Sequence, residues 1–389
     1  MTDARTPSNG MGAVVIDPKG GLIQRVIERM PAHRVNDCIL VDLADEARPV
    51  PLPLLATEPG GTPELTADTL VAILRRRYGD LGPRSTDLLQ SSLYTLARMP
   101  GTTLMDLLTI WTNDTFRARA AATVQDDPVL AGFWAWFAQL SAAERASMLA
   151  APMNKIRPLL THRMVRNVLA APRATFSMSE VLADGKILLV NLAEGVLGSE
   201  VTNLAGGVVV ARLWQAIQGR IRLDPADRPP VIVTVDEAPR FLDAPVDLAE
   251  MLVLAREYGV GLTLAAQSLT QFPKKTREII LNSARSKVSF QTSASDAAAV
   301  AAEFGPLVTA AALTNLPQFE AIARLSVGGA VADPVSIRTR DLPAPIPGRA
   351  EEVRAASRAR YGVPREEIEA AFARPQGPQD GPVGRGRAA

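Results

Sequence analysis

Residues 231–237 read Val-Ile-Val-Thr-Val-Asp-Glu, an apolar β-branched run that ends in two adjacent carboxylates. A short, continuously apolar run of this kind predicts a strand that is buried on both faces. In open sheets of parallel strands and helices, ligands bind at the carboxyl ends of the strands, which is where Asp236 and Glu237 lie. A strand that simply ends in solvated acids shows the same pattern, so this stretch alone leaves both interpretations open.

A second polar strand end follows one helical segment later. Residues 261–265 read Gly-Leu-Thr-Leu-Ala, a predicted strand that Ala266 and Gln267 follow. Beside a pair of acids, a neutral amide can position a water molecule and contact a terminal phosphate. A lone glutamine at a strand end is more often a surface amide. The order of acid-ended strand, helix and amide-ended strand favours a functional site.

Further short apolar runs bounded by turn residues predict the other strands. They lie at residues 13–16, 38–43, 186–192, 287–292, 319–325 and 331–337. Residues 63–173 show almost no strand pattern and contain helical blocks instead. Apolar strands that alternate with helices predict an α/β fold, in which helices cover both faces of a parallel sheet. An all-α insertion is expected between the second and third strands.

The composition is that of an ordinary globular protein, with 389 residues, 47% hydrophobic, 21% charged and a net charge of +1. A chain so near neutrality cannot bind nucleic acid through its overall charge, so any DNA contact needs a local patch. One cysteine, Cys38, and two histidines argue against a disulfide framework, a cysteine-based zinc cluster and a histidine-rich metal site.

Membrane and secretion signals are also absent from the sequence pattern. No uninterrupted apolar stretch reaches the roughly 18 residues of a membrane span. The first ten residues contain acid and turn formers where a signal peptide has an apolar core. The sequence therefore predicts a cytoplasmic protein with no membrane segment.

Several segments resemble one family of proteins. Residues 16–20, Ile-Asp-Pro-Lys-Gly, resemble the Asp-Pro-Lys-Gly-Asp segment of the TraG/TraD-like coupling ATPases of conjugation and type IV secretion. Residues 184–192 resemble the strand that returns the chain to the ATPase core. Residues 235–238 are similar to the family's Walker B motif, and residues 263–267 are similar to its glutamine motif. Residues 81–84 and 133–134 resemble signatures of the family's inserted helical domain. Residues 282, 290–292 and 296–297 also lie in the order that the family shows. The chain is identified as a member of this family, within the HerA/FtsK superfamily of P-loop NTPases.

The resemblance implies a RecA-like sheet, with ATP and Mg²⁺ as cofactors. It implies that Asp236 holds the magnesium ion through water, that Glu237 activates the attacking water and that Gln267 senses the γ-phosphate. It places Asp17 and Lys19 of the Asp-Pro-Lys-Gly segment, together with Asp236, among the nucleotide-binding residues.

Ring ATPases commonly complete a site with an arginine from the next subunit. Arg285 and Arg324 are the candidates for this catalytic role in the sequence. The chain is rich in arginine, so the alternative interpretation of each as an ordinary surface residue stays open.

A phosphate-binding loop is missing from the sequence. Such a loop reads Gly-x4-Gly-Lys-Ser/Thr, because glycine amides surround the phosphates and the lysine neutralises them. Of six lysines, only Lys186 follows a glycine, and Ile187 and Glu180 occupy positions that the motif reserves for Ser/Thr and Gly. The family has this loop ahead of the Asp-Pro-Lys-Gly segment, and Gly21 replaces its second Asp. We therefore expect an N-terminally shortened member.

The unit that carries the phosphate-binding loop is then encoded in an upstream reading frame, cut off by a misplaced start, carried by a separate chain, or lost. In RecA-like sheets the strand of that unit lies inside the sheet and its helix packs on one face. Without it, we expect neighbouring strands to keep unpaired backbone groups or to pair differently.

The predicted domains are residues 1–60, the first part of the ATPase core without its P-loop unit; residues 61–175, the all-α insertion; residues 176–340, the second part of the core with Walker B; and residues 341–389, a largely disordered tail. Within the tail, a short helix is expected near residues 364–372.

The predicted function is that of a DNA-translocating ATPase of conjugation and type IV secretion, inactive as given because no Walker A motif is present. By resemblance, its partners are DNA, five further copies in a homo-hexamer and the secretion machinery, and it works at the inner face of the cell membrane. The alternatives are a non-catalytic scaffold or ring subunit, and a remnant of a truncated coupling protein. An unrelated dinucleotide enzyme is disfavoured, because no Gly-x-Gly-x-x-Gly turn follows a strand.

Overall fold

The computed structural model describes residues 10–79, 82–242 and 248–373, which fold into two compact units. The first unit contains the residues up to Ala44 together with Glu58–Gly61 and Thr175–Gly362. The second contains Asp45–Thr57, the described part of Thr62–Ala174, and Val363–Ala373. The predicted helical insertion forms most of the second unit.

A sheet of five parallel strands organises the first unit. The strands are β1 (Gly12–Asp17), β2 (Cys38–Asp42), β3 (Ile187–Asn191), β4 (Val231–Val235) and β5 (Val260–Leu264). They lie side by side in the order β2-β3-β1-β4-β5. The predicted α/β fold, with an all-α insertion between the second and third strands, is confirmed.

The register decides which side chains share a face of this sheet. Leu40, Leu189, Val15, Thr234 and Thr263 are aligned across the five strands, and aligned residues of parallel strands point to the same side. We call their side the first face. The residues that alternate with them along each strand point to the second face.

Helices pack on the sheet of the first unit and build the second unit. In chain order the helices are α1 (Gly21–Ile27), α2 (Pro63–Tyr78), α3 (Pro83–Arg98), α4 (Asp106–Thr112), α5 (Asp114–Ala122), α6 (Pro128–Gln139), α7 (Ala142–Thr161), α8 (Arg163–Leu169), α9 (Met178–Ala183), α10 (Glu194–Gly219), α11 (Leu248–Leu254), α12 (Lys274–Ser283), α13 (Ala294–Phe304), α14 (Ala310–Thr314), α15 (Arg349–Tyr361) and α16 (Arg365–Ala373).

Two helices that are distant in sequence cover the first face on the β2–β3 side. Ile27 of α1 and Val353 of α15 are fully buried in one cluster with Leu189 and the almost fully buried Cys38. Burial of such aliphatic side chains contributes roughly 1.5–3 kcal/mol each. The hydroxyl of Ser357, also on α15, accepts a hydrogen bond from the backbone N–H of Leu40 at 2.9 Å.

The position of α15 differs from the prediction that residues 341–389 are largely disordered. The sequence of α15 is charged and arginine-rich and has only a narrow apolar stripe, so its pattern did not predict a packed helix. That stripe, which includes Ala350 and Val353, becomes buried only because the sheet offers an apolar surface distant in sequence. The expected helix near residues 364–372 is present as α16. Residues 374–389 lie outside the described residues.

The long helix α10 packs inside the first unit. By length and composition, Glu194–Arg222 is the one stretch of the described residues that could cross a membrane, but 67% of its apolar window is buried within the protein. A buried core helix passes the same test, and φ at Gly198 is 77°, which interrupts α10 near its start.

One glycine of α10 permits a close contact that the fold requires. A Cβ on Gly206 would lie 2.1 Å from a ring carbon of Phe241 and 2.9 Å from a methyl of Leu192. We expect Gly206→Ala to lower the free energy of unfolding by about 2 kcal/mol, because overpacking a close-packed core forces the neighbours apart. Urea denaturation of the variant and of the unchanged chain measures this difference in the free energy of unfolding. The control is Gly219→Ala near the end of α10, where a Cβ meets nothing within 4 Å; equal losses would contradict the steric explanation.

The remaining strands form separate sheets of the first unit. Strand β6 (Lys287–Ser289) pairs antiparallel with β7 (Glu320–Arg324), and β7 pairs antiparallel with β10 (Val335–Arg338). A two-stranded sheet of β8 (Ser326–Val327) and β9 (Ala330–Val331) lies between β7 and β10 in the sequence. The predicted strands in these regions therefore exist, but they do not extend the parallel sheet.

Candidate nucleotide site

The carboxyl ends of β1, β4 and β5 are tied together by backbone hydrogen bonds. The N–H of Asp236 donates to the carbonyl of Ile16 at 3.0 Å, and the N–H of Ala238 donates to the carbonyl of Ala265 at 2.8 Å. Glu237 is thereby held between the ends of the two neighbouring strands. This is the edge at which open parallel sheets bind ligands.

Glu237 has an unusual backbone conformation. Its φ is 46° and its ψ is 47°, in the left-handed region that residues with a Cβ rarely occupy. Such a conformation costs of order 1–3 kcal/mol, and residues held in this way cluster at active sites and ligand-binding positions. It ends β4 and starts the 3-10 turn Ala238–Phe241.

Three side chains from separate parts of the chain donate hydrogen bonds to the Glu237 carboxylate. Lys19 Nζ lies 2.5 Å and Gln267 Nε2 lies 2.8 Å from Oε1. Arg240 Nε lies 2.6 Å from Oε2. The structure therefore brings together Lys19, Glu237 and Gln267, three residues that sequence analysis selected.

Arg240 also forms an ion pair with Glu194, which lies at the start of α10. Sequence analysis missed both residues. Arg240 follows Glu237 by three positions, a spacing that allows contact within one turn. Nothing in the sequence pattern connects Glu194 to this region, since it lies more than forty residues away.

Glu237, Lys19, Gln267, Arg240 and Glu194 form a group that we call the Glu237 cluster. The contacts within it shift the pKa values of its ionisable side chains. Burial acts to raise the pKa of Glu237, but the hydrogen bonds from Lys19 and Arg240 outweigh it, and the pKa of the carboxyl lies below its usual value. The hydrogen bond to Glu237 raises the pKa of Lys19. At neutral pH Glu237 is therefore an ionised carboxylate that is hydrogen-bonded to the cationic side chains of Lys19 and Arg240.

Asp236 is in a different environment. Burial, with further contributions from the charges of Asp17 and Glu237, raises the pKa of its carboxyl above the usual value. Its Oδ1 accepts the N–H of Glu237 at 3.0 Å. A cation placed here would relieve the repulsion between these carboxylates.

The donors fit a magnesium ion only in company with phosphate. Among the described residues, no group of three or more His, Cys, Asp or Glu side chains could hold a metal ion. Mg²⁺ does not require such a group, because it is usually bound by one or two carboxylates, waters and substrate phosphates. Asp236 can supply the single protein carboxylate of that arrangement.

Asp17 shapes the turn that carries Lys19. Its side chain, only 1% exposed, accepts the backbone N–H groups of Lys19 at 2.9 Å, Leu22 at 2.8 Å and Ile23 at 3.2 Å. Both carboxylate oxygens are engaged in this way. Its assignment as a nucleotide ligand stays a prediction.

Gly20 completes the turn, because its φ of 82° favours glycine. A Cβ there would lie 2.5 Å from Oδ1 of Asn191. The turn after β1 is thus packed directly against the end of β3.

The two candidate arginines lie elsewhere in the first unit. Arg324 is on β7, and its Nη1 donates to the carbonyl of Glu303 at 2.7 Å. Arg285 is exposed in the turn before β6. Neither is hydrogen-bonded to Glu237 in the described part of the chain, and their catalytic role stays a prediction.

No known protein-family profile and no curated protein sequence matches this chain. Several solved structures are similar to it. The plasmid coupling protein TrwB in complex with ADP and Mg²⁺ is similar with a TM-score of 0.58 and 14% identity, over 87% of this chain and 81% of that one. TrwB with the GTP analogue GDPNP gives a TM-score of 0.56 and 15% identity, over 85% and 78%. The chain has the fold of the coupling protein TrwB. The RecA-like fold expected from the resemblance is confirmed.

Proposed function

We propose that this chain provides the Walker B part of an ATP-driven, DNA-translocating ATPase of conjugation and type IV secretion. The observation that carries the proposal is the Glu237 cluster at the carboxyl edge of a sheet with the TrwB fold. In support, TrwB has been solved in complex with ADP and Mg²⁺ and with the ATP analogue ADPNP. DNA, a ring of like subunits and the secretion machinery are the partners that this function requires.

The contacts of these residues support a separate role for each of them. A bound magnesium ion supplies positive charge to the phosphates, and Asp236 is the carboxylate that would hold it, through water. Glu237 is ionised and is the group that accepts a proton from the attacking water. Gln267 donates a hydrogen bond to Oε1 of Glu237 and, from that position, would orient the attacking water.

Lys19 connects phosphate binding to the state of Glu237. Its ammonium group now occupies Oε1 of Glu237, together with the Gln267 amide. A phosphate oxygen competes for the same ammonium group. Drawing Lys19 away frees the lone pair of Oε1 that Lys19 occupies, so that this oxygen can accept a proton from water while it keeps the hydrogen bond from Gln267. Lys19 is 55% exposed, so it can move without disturbing the core.

Protection of Lys19 from acetylation tests this proposal. Because the sequence contains no phosphate-binding loop, we expect this chain to bind nucleotide weakly at best, and the test therefore uses millimolar ADPNP with Mg²⁺. Bound nucleotide should slow acetylation of the Lys19 side chain, as measured by mass spectrometry, because the phosphates cover it. Lys275, exposed on α12, is the matched control and should react at an unchanged rate. Equal rates at Lys19 with and without millimolar nucleotide would refute nucleotide binding by this chain and favour a non-catalytic scaffold.

We expect the purified 389-residue chain to show no ATP turnover above the buffer rate. The sequence contains no Gly-x4-Gly-Lys-Ser/Thr loop, and electrostatic contacts from such a loop provide much of the catalysis in phosphoryl transfer. Release of inorganic phosphate is the measurement. Turnover that disappears in a Glu237→Gln variant would contradict this expectation, whereas residual turnover that survives the substitution indicates a contaminating enzyme and leaves the expectation intact.

A further inference from the structure

A groove between α5 and α6 forms an open cavity of about 690 Å³ within the second unit. Cavities that bind small molecules have volumes of roughly 300–1,000 Å³. Small side chains on both helices leave the space between them unfilled, and Trp134 adds an aromatic surface. The small side chains that line the groove are those of Ala118, Ala121, Ala131, Ala135 and Ala138.

The walls of this groove offer hydrocarbon to a ligand. Trp134 Nε1 donates a hydrogen bond to Oγ1 of Thr95 at 2.8 Å, so the one polar group of the indole is already bonded. The backbone N–H and C=O groups in the middle of a helix are bonded within that helix. The body of a ligand that lies between α5 and α6 therefore contacts apolar surface and needs no hydrogen-bonding groups of its own.

The end of the groove at the start of α5 is charged. Arg117 and Arg145 both line it, and both form ion pairs with Oδ1 of Asp114. The distance from Arg145 Nη1 to that oxygen is 3.6 Å. Among the described lining residues, two cations thus share one anion. The excess positive charge makes this end complementary to an anionic group.

The guanidinium of Arg117 is held in place by the protein itself. Its Nη1 donates to the carbonyls of Ile110 at 3.3 Å and of Trp111 at 3.5 Å. The group also lies over the ring of Phe137, 5.2 Å from the ring centroid. The side chain of Arg117 is only 9% exposed, whereas that of Asp114 is 78% exposed. Asp114 can therefore turn into water at little cost, and another carboxylate can take its place on a guanidinium that is already oriented.

We propose that this groove binds a small amphipathic carboxylate, an acid with a single hydrocarbon body. Its carboxylate replaces Asp114 on Nη2 of Arg117 and pairs with Arg145, while its body lies along the alanines and Trp134. The carboxyl end of a polypeptide carries the same head group, but its peptide groups find no partners between α5 and α6. The groove therefore fits a free acid. This site belongs to the second unit and is independent of the proposed function.

Ligand-observed NMR titration with octanoate tests the head group of the ligand. Octanoate should bind the 389-residue chain with a dissociation constant on the order of 1 mM, which suits so small a molecule. Octanol and octylammonium have the same hydrocarbon body. Both should bind at least about tenfold more weakly, because the alcohol has no charge for the arginines and the ammonium group is repelled by them.

Substitutions at exposed and half-buried positions test the place of binding. Arg145→Gln should weaken the binding of octanoate about tenfold, and Ala135→Phe, which fills the groove, should abolish it. Their matched controls, Arg157→Gln and Ala150→Phe, change exposed residues of α7 outside the groove and should leave binding unchanged. Asp114→Asn should strengthen binding about threefold, because it removes the carboxylate that competes for the two arginines.

Several results would overturn the proposal. Octanoate that does not bind at ten times the expected dissociation constant, or octanol that binds as tightly, would show that the groove does not select a carboxylate. Unchanged affinity in Ala135→Phe would place the ligand elsewhere, and weaker binding in Asp114→Asn would contradict the replacement of Asp114. The capped tripeptide acetyl-trileucine, with its free carboxyl end, should bind more weakly than octanoate. Tighter binding of the tripeptide would assign the groove to a polypeptide end instead.

Discussion

Glu58→Gln should lower the free energy of unfolding by about 3–5 kcal/mol, the largest loss we expect from one substitution in this chain. Glu58 forms an ion pair with Arg212 of α10, and their side chains are only 5% and 6% exposed. Glu58 also accepts the N–H of Met178, at the start of α9, at 2.9 Å. Removing its charge leaves a buried guanidinium without its carboxylate, which costs far more than the loss of an exposed pair.

Urea denaturation followed by circular dichroism measures this loss. The matched control is Glu64→Gln, which removes the same charge from a pair with Arg98 whose side chains are 41% and 26% exposed. Exposed pairs contribute about 0–1 kcal/mol. Comparable losses in the two variants would show that burial does not determine the strength of the Glu58 pair.

Asp17→Ala should lower the free energy of unfolding by about 3 kcal/mol. The carboxylate satisfies three backbone N–H groups at the start of α1, and each donor left without a partner in a partly buried place costs roughly 1–3 kcal/mol, less what water recovers. The turn that carries Lys19 depends on the same bonds. We therefore also expect faster acetylation of Lys19, because the turn no longer holds it against Glu237.

The control for this substitution is Asp45→Ala. Asp45 likewise accepts two backbone N–H groups, from Ala47 and Arg48, but in an exposed loop where water can replace it. A loss below about 1 kcal/mol is expected there. If Asp17→Ala is as mild as Asp45→Ala, or leaves the acetylation of Lys19 unchanged, the carboxylate does not organise this turn.

Parts of the site could be predicted because they follow strands. The carboxyl ends of parallel strands lie at one edge, so apolar runs followed by Glu237 and Gln267 were enough to predict a functional site at that edge. The pairing of β4 with β5, which brings the two side chains together, comes from the structure. Lys19 was selected by the resemblance, and its place beside Glu237 comes from the turn after β1. Arg240 and Glu194 were not predicted as site residues, because an ion pair between a turn and a distant helix leaves no periodic pattern in the sequence.

The sequence by itself determined the five strands of the parallel sheet, the position of the all-α insertion and the lack of a phosphate-binding loop. These features depend on local apolar patterns and on residue identity, and both can be read along the chain. Only the tertiary structure decided that β1 lies between β3 and β4, that α15 covers the sheet and that half of the first face beside β5 stays exposed. The physical reason is that burial depends on which surfaces meet, and surfaces distant in sequence meet only in the folded chain.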